Sequence, residues 1–331
     1  MSPLLQVSDL AVEFESPEGP VRVLRGVDLV LRPGEILGLV GESGSGKSVT
    51  CLSLLRLAGP QARISGRVLY DGRDLLTLDA GEIEGLRGRE ISMIFQDPAA
   101  ALNPVVTVGR QVEEAVRLNR PEIGASGRGA LRAEAIRLLQ EVGIPRPEIR
   151  YGRYPHELSG GQNQRVMIAM MLAGSPRLLI ADEPTTALDV TIQAQILALL
   201  VALSRSRGTA LVLITHDLGV VAQTCQRVAV MYGGRIVEAG PVTDVFATPQ
   251  HPYTAGLLQS RPRFDQEGGA LRAIEGTVPG PGQMPLGCAF APRCPQALGA
   301  CRKEVPKLCA SDSHSYACFN PVSELGLRLP A

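Results

Sequence analysis

Gly41-Glu42-Ser43-Gly44-Ser45-Gly46-Lys47-Ser48 directly follows the apolar run Ile36–Val40 and matches the pattern G-x-x-x-x-G-K-[ST]. In this pattern, glycines let backbone N–H groups converge on phosphate oxygens, and the following helix N-terminus adds a partial positive charge. Lys47 is predicted to reach the β- and γ-phosphates of a nucleotide, and the Ser48 hydroxyl to ligate Mg²⁺. The predicted nucleotide-binding residues of this phosphate loop are Gly41, Ser43, Gly44, Ser45, Gly46, Lys47 and Ser48.

The lysine of the phosphate loop is unusual in this chain. Lys47 is the only lysine in the first 302 residues, although Lys and Arg together number 33. A compact ammonium group is therefore required here, because the chain uses arginine as its cation elsewhere. The alternative interpretation is a flexible Gly/Ser turn, and composition alone would produce such a match in on the order of one chain in a hundred.

Length and composition indicate a large folded protein. The 331 residues suggest two domains, and 45% hydrophobic with 20% charged residues is ordinary globular usage. Equal numbers of basic and acidic residues, 33 each, remove the usual electrostatic footprint of a nucleic-acid binder. No apolar run exceeds eight residues, as in 196–203, and the N-terminus lacks the features of a signal peptide. We therefore expect no membrane-spanning segment and a cytoplasmic protein.

The order of predicted elements indicates an α/β fold. An N-terminal antiparallel pair, at 4–14 and 21–31, precedes the phosphate loop, and a helical insertion follows at about 106–142 with a loop at 121–129. Strand-like and helix-like segments then alternate, which favours a parallel sheet with crossovers: 178–181, 191–205, 209–214 and 218–225. Ten Gly and Pro among residues 261–287 predict an irregular connector and a domain boundary near residue 260.

Two carboxylates end the apolar segment 178–181. Ligands lie beyond the carboxyl ends of parallel strands, so Asp182 is predicted to hold Mg²⁺ through water and Glu183 to face the γ-phosphate as the general base. By itself a strand-end pair is more often a helix cap. The phosphate loop makes that alternative unfavourable.

Ser159-Gly160-Gly161-Gln162 precedes a helix-like stretch, 112 residues after Lys47 and 24 before Glu183. A serine cap and glycine N–H groups at a helix start form a second anion site. In order and spacing these motifs resemble the ATP-binding subunits of ABC transporters. The resemblance implies that this signature binds the γ-phosphate held by the opposite subunit, so that two ATP molecules are sandwiched in a head-to-tail dimer.

The same resemblance assigns further residues and the architecture. Gln96 resembles the family's glutamine-loop residue, contacting Mg²⁺ and the attacking water, and Asp189 resembles the D-loop residue. His216 resembles the switch histidine at the γ-phosphate, and Phe14 aligns with the aromatic residue that stacks on adenine. The implied nucleotide-binding domain covers residues 1–260, with a mixed sheet core, an antiparallel β subdomain and a helical subdomain at about 97–165.

Three local segments and the tail resemble the oligopeptide and dipeptide importer group: 98–104, 154–157, 187–195 and the cysteine-rich extension 261–331. Import of dipeptides or oligopeptides is the leading hypothesis, and nickel and glutathione importers of the same group are the alternatives. The implied partners are two integral-membrane permease subunits, a second ATPase subunit (a paralogue or a second copy) and, indirectly, an extracytoplasmic peptide-binding protein. The implied location is peripheral, at the cytoplasmic face of the inner membrane.

A rival of another class is a soluble ABC ATPase acting on nucleic acid or ribosomes. Chromosome-organising members need a long coiled-coil insertion, for which the 112 residues between Lys47 and Ser159 leave no room. Repair-type members carry C-x-x-C pairs, which this tail lacks.

The tail presents a separate metal question. Cys288, Cys294, Cys301 and Cys318 match the family's cysteines, and Cys309 is extra. In a reducing compartment, clustered thiols favour metal ligation over disulfides, but the spacing is atypical for both zinc and common iron–sulfur sites. The resemblance favours a [4Fe–4S] cluster, with zinc as runner-up and unligated buried thiols as the alternative.

Overall fold

The computed structural model describes residues 2–17, 19–185, 188–260, 274–311 and 313–322. The strands are β1 (Leu5–Phe14), β2 (Val21–Leu31), β3 (Ile36–Val40), β4 (Ala62–Tyr70), β5 (Arg73–Asp74), β6 (Ile91–Ile94), β7 (Leu178–Asp182), β8 (Ala210–Ile214), β9 (Arg227–Tyr232), β10 (Arg235–Pro241), β11 (Cys309–Ser311) and β12 (His314–Tyr316). The helices are α1 (Lys47–Leu54), α2 (Ala80–Leu86), α3 (Pro98–Ala101), α4 (Val108–Asn119), α5 (Pro121–Ala125), α6 (Arg128–Glu141), α7 (Pro147–Arg150), α8 (Gly160–Met171), α9 (Val190–Arg207), α10 (Leu218–Thr224), α11 (Val242–Ala247) and α12 (Pro252–Gln259).

The chain forms two compact units, the first from described residues within 1–31, 37–76 and 215–331. One part of this unit is an antiparallel sheet in the order β2-β1-β4-β5. In it, Leu5 pairs with Leu31 and Phe14 with Val21, so the predicted N-terminal antiparallel pair is confirmed. The buried faces of β1 and β2 carry large apolar side chains, which is what the crude alternation in the sequence indicates.

A second group of strands in this unit carries the phosphate loop. β3 is buried along its whole length and runs parallel to β9, with Leu37 opposite Arg227 and Val40 opposite Val230. β10 pairs antiparallel with β9, and β12 and β11 of the C-terminal region continue antiparallel from β10. The cysteine-rich extension is therefore not wholly irregular, because it adds a short hairpin to this sheet.

The second unit comprises residues 32–36 and the described residues within 77–214. Its strands β6, β7 and β8 are parallel neighbours in that order, as the alternating pattern predicted. The helical insertion is also present: Val112 and Val116 of α4 and Leu131 of α6 are buried on their helices' inner faces. The predicted loop 121–129 contains α5, because Pro121 provides a favourable first helical position.

The fold class is α/β, with mixed strand pairing, an antiparallel sheet and a helical part. Among the described residues, no helix combines the length and apolarity needed to cross a membrane. Most of the predicted connector, residues 261–273, lies outside the described residues. Residues 274–287 contain only a short 3₁₀ helix, Pro281–Gln283, consistent with their Gly and Pro content.

Candidate functional site

The glycines of the phosphate loop are required by backbone geometry. Gly41 and Gly46 have φ angles of 154° and 102°, in the region that favours glycine. A Cβ atom on Gly41 would lie 2.2 Å from the Met231 carbonyl oxygen, and one on Gly46 would lie 2.8 Å from Leu24 Cδ2. A Cβ on Gly44 would meet nothing within 4 Å. The two ends of the loop are therefore tightly packed, and its middle is open.

Lys47 begins α1 directly after the loop. Its side chain is buried, and Nζ donates hydrogen bonds to the carbonyl oxygens of Gly41 at 2.8 Å and Glu42 at 3.0 Å. Gly46 is the N-cap of the helix, and no described side chain caps this N-terminus. Ser48 is exposed in the first turn. The loop thus presents an ammonium group and a helix N-terminus, both of which attract anions.

Two other predicted residues lie in the same unit. The backbone N–H of Thr215 donates to the Leu39 carbonyl oxygen at 3.4 Å, so His216 follows beside the end of β3 that leads into the phosphate loop. The His216 side chain is exposed. Phe14 is the last residue of β1 and is partly buried opposite Val21. The fold therefore brings His216 to the loop's end of β3, and the adenine-stacking role of Phe14 stays a prediction.

In the second unit, an amide and a carboxylate follow neighbouring strands. Ile94 of β6 pairs with Ala181 of β7, and Asp182 is the buried last residue of β7. Gln96 comes two residues after β6 ends and is exposed. Because the carboxyl ends of parallel strands meet at one edge of a sheet, Gln96 and Asp182 lie at the same edge. Both offer the oxygen atoms that Mg²⁺ prefers.

Glu183 has an unusual backbone conformation. Its φ angle is 43°, which is uncommon for a residue other than glycine. Its backbone N–H donates to the Ile214 carbonyl oxygen of β8 at 3.1 Å, which holds the turn in place. Such strain costs on the order of 1–3 kcal/mol and is concentrated at functional sites. Five other described non-glycine residues also have a positive φ angle, so this conformation alone does not identify a general base, and that role of Glu183 stays a prediction.

The signature residues form the start of α8. Ser159 is the exposed N-cap: its hydroxyl accepts a hydrogen bond from the Gln162 N–H at 3.3 Å, and the Gln162 side chain accepts one from the Ser159 N–H at 3.3 Å. A Cβ on Gly161 would lie 2.6 Å from Ile192 Cγ2, whereas one on Gly160 would lie at 3.5 Å from Leu188 Cδ2. The close approach of α9 therefore requires glycine at 161 but not at 160.

Asp189 has a structural contact of its own. It is exposed, and its carboxylate accepts a hydrogen bond from the Ile192 N–H at 2.9 Å as the N-cap of α9. Since Ile192 Cγ2 also lies close to where a Cβ on Gly161 would be, the D-loop residue and the signature are both near the first turn of α9.

The four family-matched cysteines line one cavity in the C-terminal region of the first unit, together with His251, Phe290 and Pro306. The backbone N–H of Cys288 donates to the Cys301 carbonyl oxygen at 2.8 Å, which joins two of the cysteine-bearing turns. Cys309 is exposed and does not line this cavity. The fold thus gathers Cys288, Cys294, Cys301 and Cys318 and leaves Cys309 outside.

Burial favours the protonated form of three thiols of this cavity. It raises the pKa of Cys288 and Cys294 above the ordinary thiol value, and it raises the pKa of Cys318 to about 11. Within the described ranges, no group of three or more His, Cys, Asp or Glu side chains is close enough to hold a single metal ion. A ligand that binds these sulfurs must displace their protons.

Sequence reasoning missed the side chains that hold the phosphate loop from outside. Glu42 donates its backbone N–H to Tyr253 Oη at 2.8 Å, and its carboxylate accepts from Arg293 at 2.9 Å. These partners lie 211 and 251 residues away along the chain. No local sequence pattern connects Tyr253 or Arg293 with Glu42. These contacts can be identified only when the three-dimensional fold is known.

Comparison with protein families gives two matches. The model described as "ABC transporter" matches residues 24–186, and the model described as "Oligopeptide/dipeptide transporter, C-terminal region" matches residues 237–301. The first range holds the phosphate loop, the signature and Asp182–Glu183. The second includes Cys288, Cys294, Arg293 and Cys301.

Two related proteins align with nearly the whole chain. A probable peptide ABC transporter ATP-binding protein of Sinorhizobium fredii is 52% identical over 96% of this chain and 94% of its own length. The oligopeptide transport ATP-binding protein OppD of Salmonella typhimurium is 49% identical over 97% of this chain and 95% of its own.

Solved structures with the same fold cover about three quarters of the chain. The dimeric ATP-binding cassette MJ0796, bound to ADP and phosphate, matches with a TM-score of 0.63 at 29% identity, over 72% of this chain and 98% of that one. CbiO1 of Clostridium perfringens, part of a cbiONQ transporter complex, matches with a TM-score of 0.62 at 31% identity, over 75% of this chain and 92% of that one.

Proposed function

Because this chain belongs to the ATP-binding subunits of ABC transporters, in the oligopeptide/dipeptide group, we propose that it hydrolyses ATP to power the import of dipeptides and oligopeptides through a membrane permease. One observation carries the proposal: a single chain matches both the ABC transporter model and the C-terminal region of oligopeptide/dipeptide transporters. The relatives named as oligopeptide transport ATP-binding proteins share both parts at 48% to 49% identity.

ATP binding begins at the phosphate loop. Lys47 and the N-terminus of α1 bind the β- and γ-phosphates, and Phe14 stacks on the adenine. Ser48, Gln96 and Asp182 supply oxygen donors that fit Mg²⁺, with Asp182 acting through water. When bound, Mg²⁺ neutralises charge on the phosphate oxygens. Lys47, which bonds to two loop carbonyls in this structure, exchanges those bonds for phosphate oxygens.

Hydrolysis requires an oriented water and a proton acceptor. Glu183 accepts the proton as the water oxygen attacks the γ-phosphorus, and the bond to the β–γ bridging oxygen breaks so that ADP leaves with the electron pair. Gln96 orients the water, and His216 donates a hydrogen bond to the γ-phosphate. Little covalent chemistry falls to the protein, so positioning and charge neutralisation supply most of the catalysis.

The signature acts on the nucleotide of the opposite subunit. Ser159, Gly160, Gly161 and Gln162 are at a surface helix N-terminus, where a γ-phosphate presented by a second subunit can reach them. Asp189 lies beside them at the start of α9. Two ATP molecules are thereby enclosed in a head-to-tail dimer, and hydrolysis needs both subunits.

The proposed partners of this chain are those expected for an importer of this group. The chain works with two integral-membrane permease subunits and a second ATPase subunit, either a paralogue or a second copy, and an extracytoplasmic peptide-binding protein delivers the cargo. It is peripheral, at the cytoplasmic face of the inner membrane. Nucleic acid is not a partner, in keeping with the balance of 33 basic and 33 acidic residues.

The cysteine cavity holds a [4Fe–4S] cluster in this proposal, with zinc as the runner-up. Four thiols that line one cavity match the donor types of such a cluster, although in this structure they are not close enough together to hold one metal ion. Because thiols lose their protons when they bind iron, cluster retention weakens in acid. The cluster's role is structural or regulatory, because none of the cysteines is among the residues assigned to ATP hydrolysis.

Transport is tested in proteoliposomes that contain this chain with the membrane proteins that co-purify with it. ATP-driven uptake of labelled peptides is expected for the wild type and for Glu84→Gln, a change at an exposed helix residue. Lys47→Ala should abolish uptake. Uptake of Ni²⁺ or glutathione in place of peptides would assign the cargo to an alternative importer, and co-purification with ribosomes or nucleic acid instead of membrane proteins would refute transport.

Metal content is tested by anaerobic purification followed by iron, sulfide and zinc analysis and a visible absorption spectrum. About four iron and four sulfide per chain are expected, and Cys318→Ser should lower both, whereas Cys309→Ser should not. Stoichiometric zinc without iron would replace the cluster with its runner-up. A metal-free, folded protein would refute both.

A further inference from the structure

One side chain of the cysteine-rich extension reaches the phosphate loop. The Arg293 guanidinium donates a hydrogen bond to the Glu42 carboxylate, with 2.9 Å between nitrogen and oxygen, and Arg293 directly precedes Cys294. We propose that Arg293 is a positioning residue for ATP binding, which acts by holding and neutralising Glu42 in the phosphate loop. This inference rests on the proposed ATPase function.

Glu42 is held through three of its groups. Its N–H donates to Tyr253 Oη at 2.8 Å and its carboxylate accepts from Arg293. Its carbonyl oxygen accepts from Lys47 Nζ at 3.0 Å and from the Ser45 N–H at 3.2 Å. A movement of Glu42 would therefore displace a carbonyl oxygen that holds Lys47 in place before ATP binds.

Arg293 is itself firmly fixed. Its side chain is only 6% exposed and lies 5.8 Å from the Tyr232 ring centroid and 5.9 Å from that of Phe290. It also donates to the Tyr232 hydroxyl and to three backbone carbonyls of the connector at 274, 275 and 276. An arginine saturated with partners in this way differs from a mobile surface ion pair, which contributes little.

An aromatic cluster anchors Arg293 to the unit that bears the loop. The rings of Tyr232, Tyr253 and Phe290 are buried, with centroids 4.6 to 5.3 Å apart. Tyr253 bonds to Glu42 and Phe290 belongs to the extension, so the cluster joins the extension to the loop by packing as well as by charge. The extension therefore provides part of the outer wall of the phosphate loop.

The contact of Arg293 with Glu42 affects ATP binding because Glu42 is negatively charged. Without Arg293, an uncompensated carboxylate would remain in a loop that must bind a polyanion, and it would repel the phosphates. The repulsion would be greater for ATP than for ADP, because ATP carries the additional γ-phosphate. Loss of Arg293 should thus weaken ATP binding selectively, and removal of the Glu42 charge should reverse the loss.

The test measures MgATP and MgADP dissociation constants of the full-length chain by calorimetry. Arg293→Gln is expected to raise the constant for ATP roughly 2- to 30-fold and that for ADP less. The double variant Glu42→Gln/Arg293→Gln should return ATP binding close to the wild-type value. Arg293→Lys keeps the charge but lacks the planar group of donors, so its dissociation constant for ATP should lie between those of the wild type and Arg293→Gln. This variant supplies a second measurement if Arg293→Gln does not fold. Arg302→Gln, at an exposed arginine of the same extension, is the matched control and should change neither constant.

Two results would overturn the proposal. The first is unchanged ATP binding in Arg293→Gln. The second is an equal loss of affinity for ATP and ADP that the double variant does not reverse, because this pattern indicates a purely structural role. Lys47→Ala separates this outcome from failure of the proposed function. If Lys47→Ala leaves ATP binding intact, the assigned nucleotide site is wrong, whereas if it removes binding while Arg293→Gln does not, only the positioning role is wrong.

Discussion

Two glycine-containing loops of this molecule each lead into a helix, and the two helix N-termini differ in their hydrogen bonds. Gly46 precedes α1, and no described side chain caps that end. Ser159 caps α8 through the Gln162 N–H at 3.3 Å, which is at the long end of the range for such a bond. The first N-terminus has no described side-chain cap, whereas the second already uses one N–H for its own cap.

In the proposed function, this difference corresponds to two modes of phosphate binding on one chain. There the phosphate loop binds by backbone shape and an ammonium group within its own subunit. The capping bond of the signature is internal to the chain, and in the proposed dimer a phosphate from the opposite subunit competes with Ser159 for the Gln162 N–H. Because the capping bond is long and weak, breaking it costs little free energy. In the proposed function the phosphate loop is therefore an anion site of the single subunit, and the signature becomes one only in the dimer.

The proposed function places the general base outside both loops, at Glu183. Glu183→Gln should preserve ATP binding and lower hydrolysis by about 10²- to 10⁴-fold, the usual contribution of a positioned base. The rate of phosphate release and the ATP dissociation constant measure the two effects separately. Glu84→Gln on α2 is the control. Turnover within a few-fold of wild type would transfer the role to another group, with His216 the next candidate.

The two modes are separated most directly by variants of the two loops. Lys47→Ala should lose ATP binding, whereas Ser159→Arg should retain binding and lose turnover by more than about a hundredfold. If the chain pairs with itself, mixing the two variants places both changes in one composite site and neither in the other. Partial recovery of ATPase activity in the mixture is expected. No recovery, despite demonstrated mixed dimers, would show that the signature acts within its own subunit.

The glycines of the signature differ in their packing, which a pair of variants can measure. Gly161→Ala should destabilise the chain by about 1–3 kcal/mol, because its Cβ would lie 2.6 Å from Ile192 Cγ2. Gly160→Ala should change stability by less than about 0.5 kcal/mol, since its Cβ has an ordinary contact. Urea unfolding measures both. Equal effects would contradict the asymmetric approach of α9.

The smallest expected effect concerns the cap itself. Ser159→Ala should cost about 1 kcal/mol of stability at the start of α8, whereas Ser159→Asp retains a capping oxygen and should not. Amide hydrogen exchange at Gln162 reports the change, and it should become faster only in Ser159→Ala. Protection of Gln162 that is unaffected by Ser159→Ala would mean that the observed cap contributes nothing in solution.

Local patterns predicted much of the scaffold. β2 and β3 have the predicted bounds, and α10 ends one residue before its predicted end. These elements have continuous or periodic apolar residues bounded by turn signals, which is a local property. β12 was not predicted, because it is three residues long and is stabilised by pairing with β10, some 76 residues earlier. Short strands of that kind depend on their partner, not on their own composition.

The candidate site also has parts that the local sequence predicts and parts that depend on tertiary packing. Eight consecutive residues are enough to specify a phosphate loop, since its chemistry depends on backbone freedom and one cation at a fixed spacing. The separate positions of Asp182, Ser159 and His216 could be assigned by order and spacing. The contact of Arg293 with Glu42 could not, because 251 residues separate them and the pairing results from the packing of Phe290 on Tyr232 and Tyr253. Neighbouring residues determine short-range geometry, whereas a partly buried ion pair between distant segments forms only when long-range packing brings the segments together.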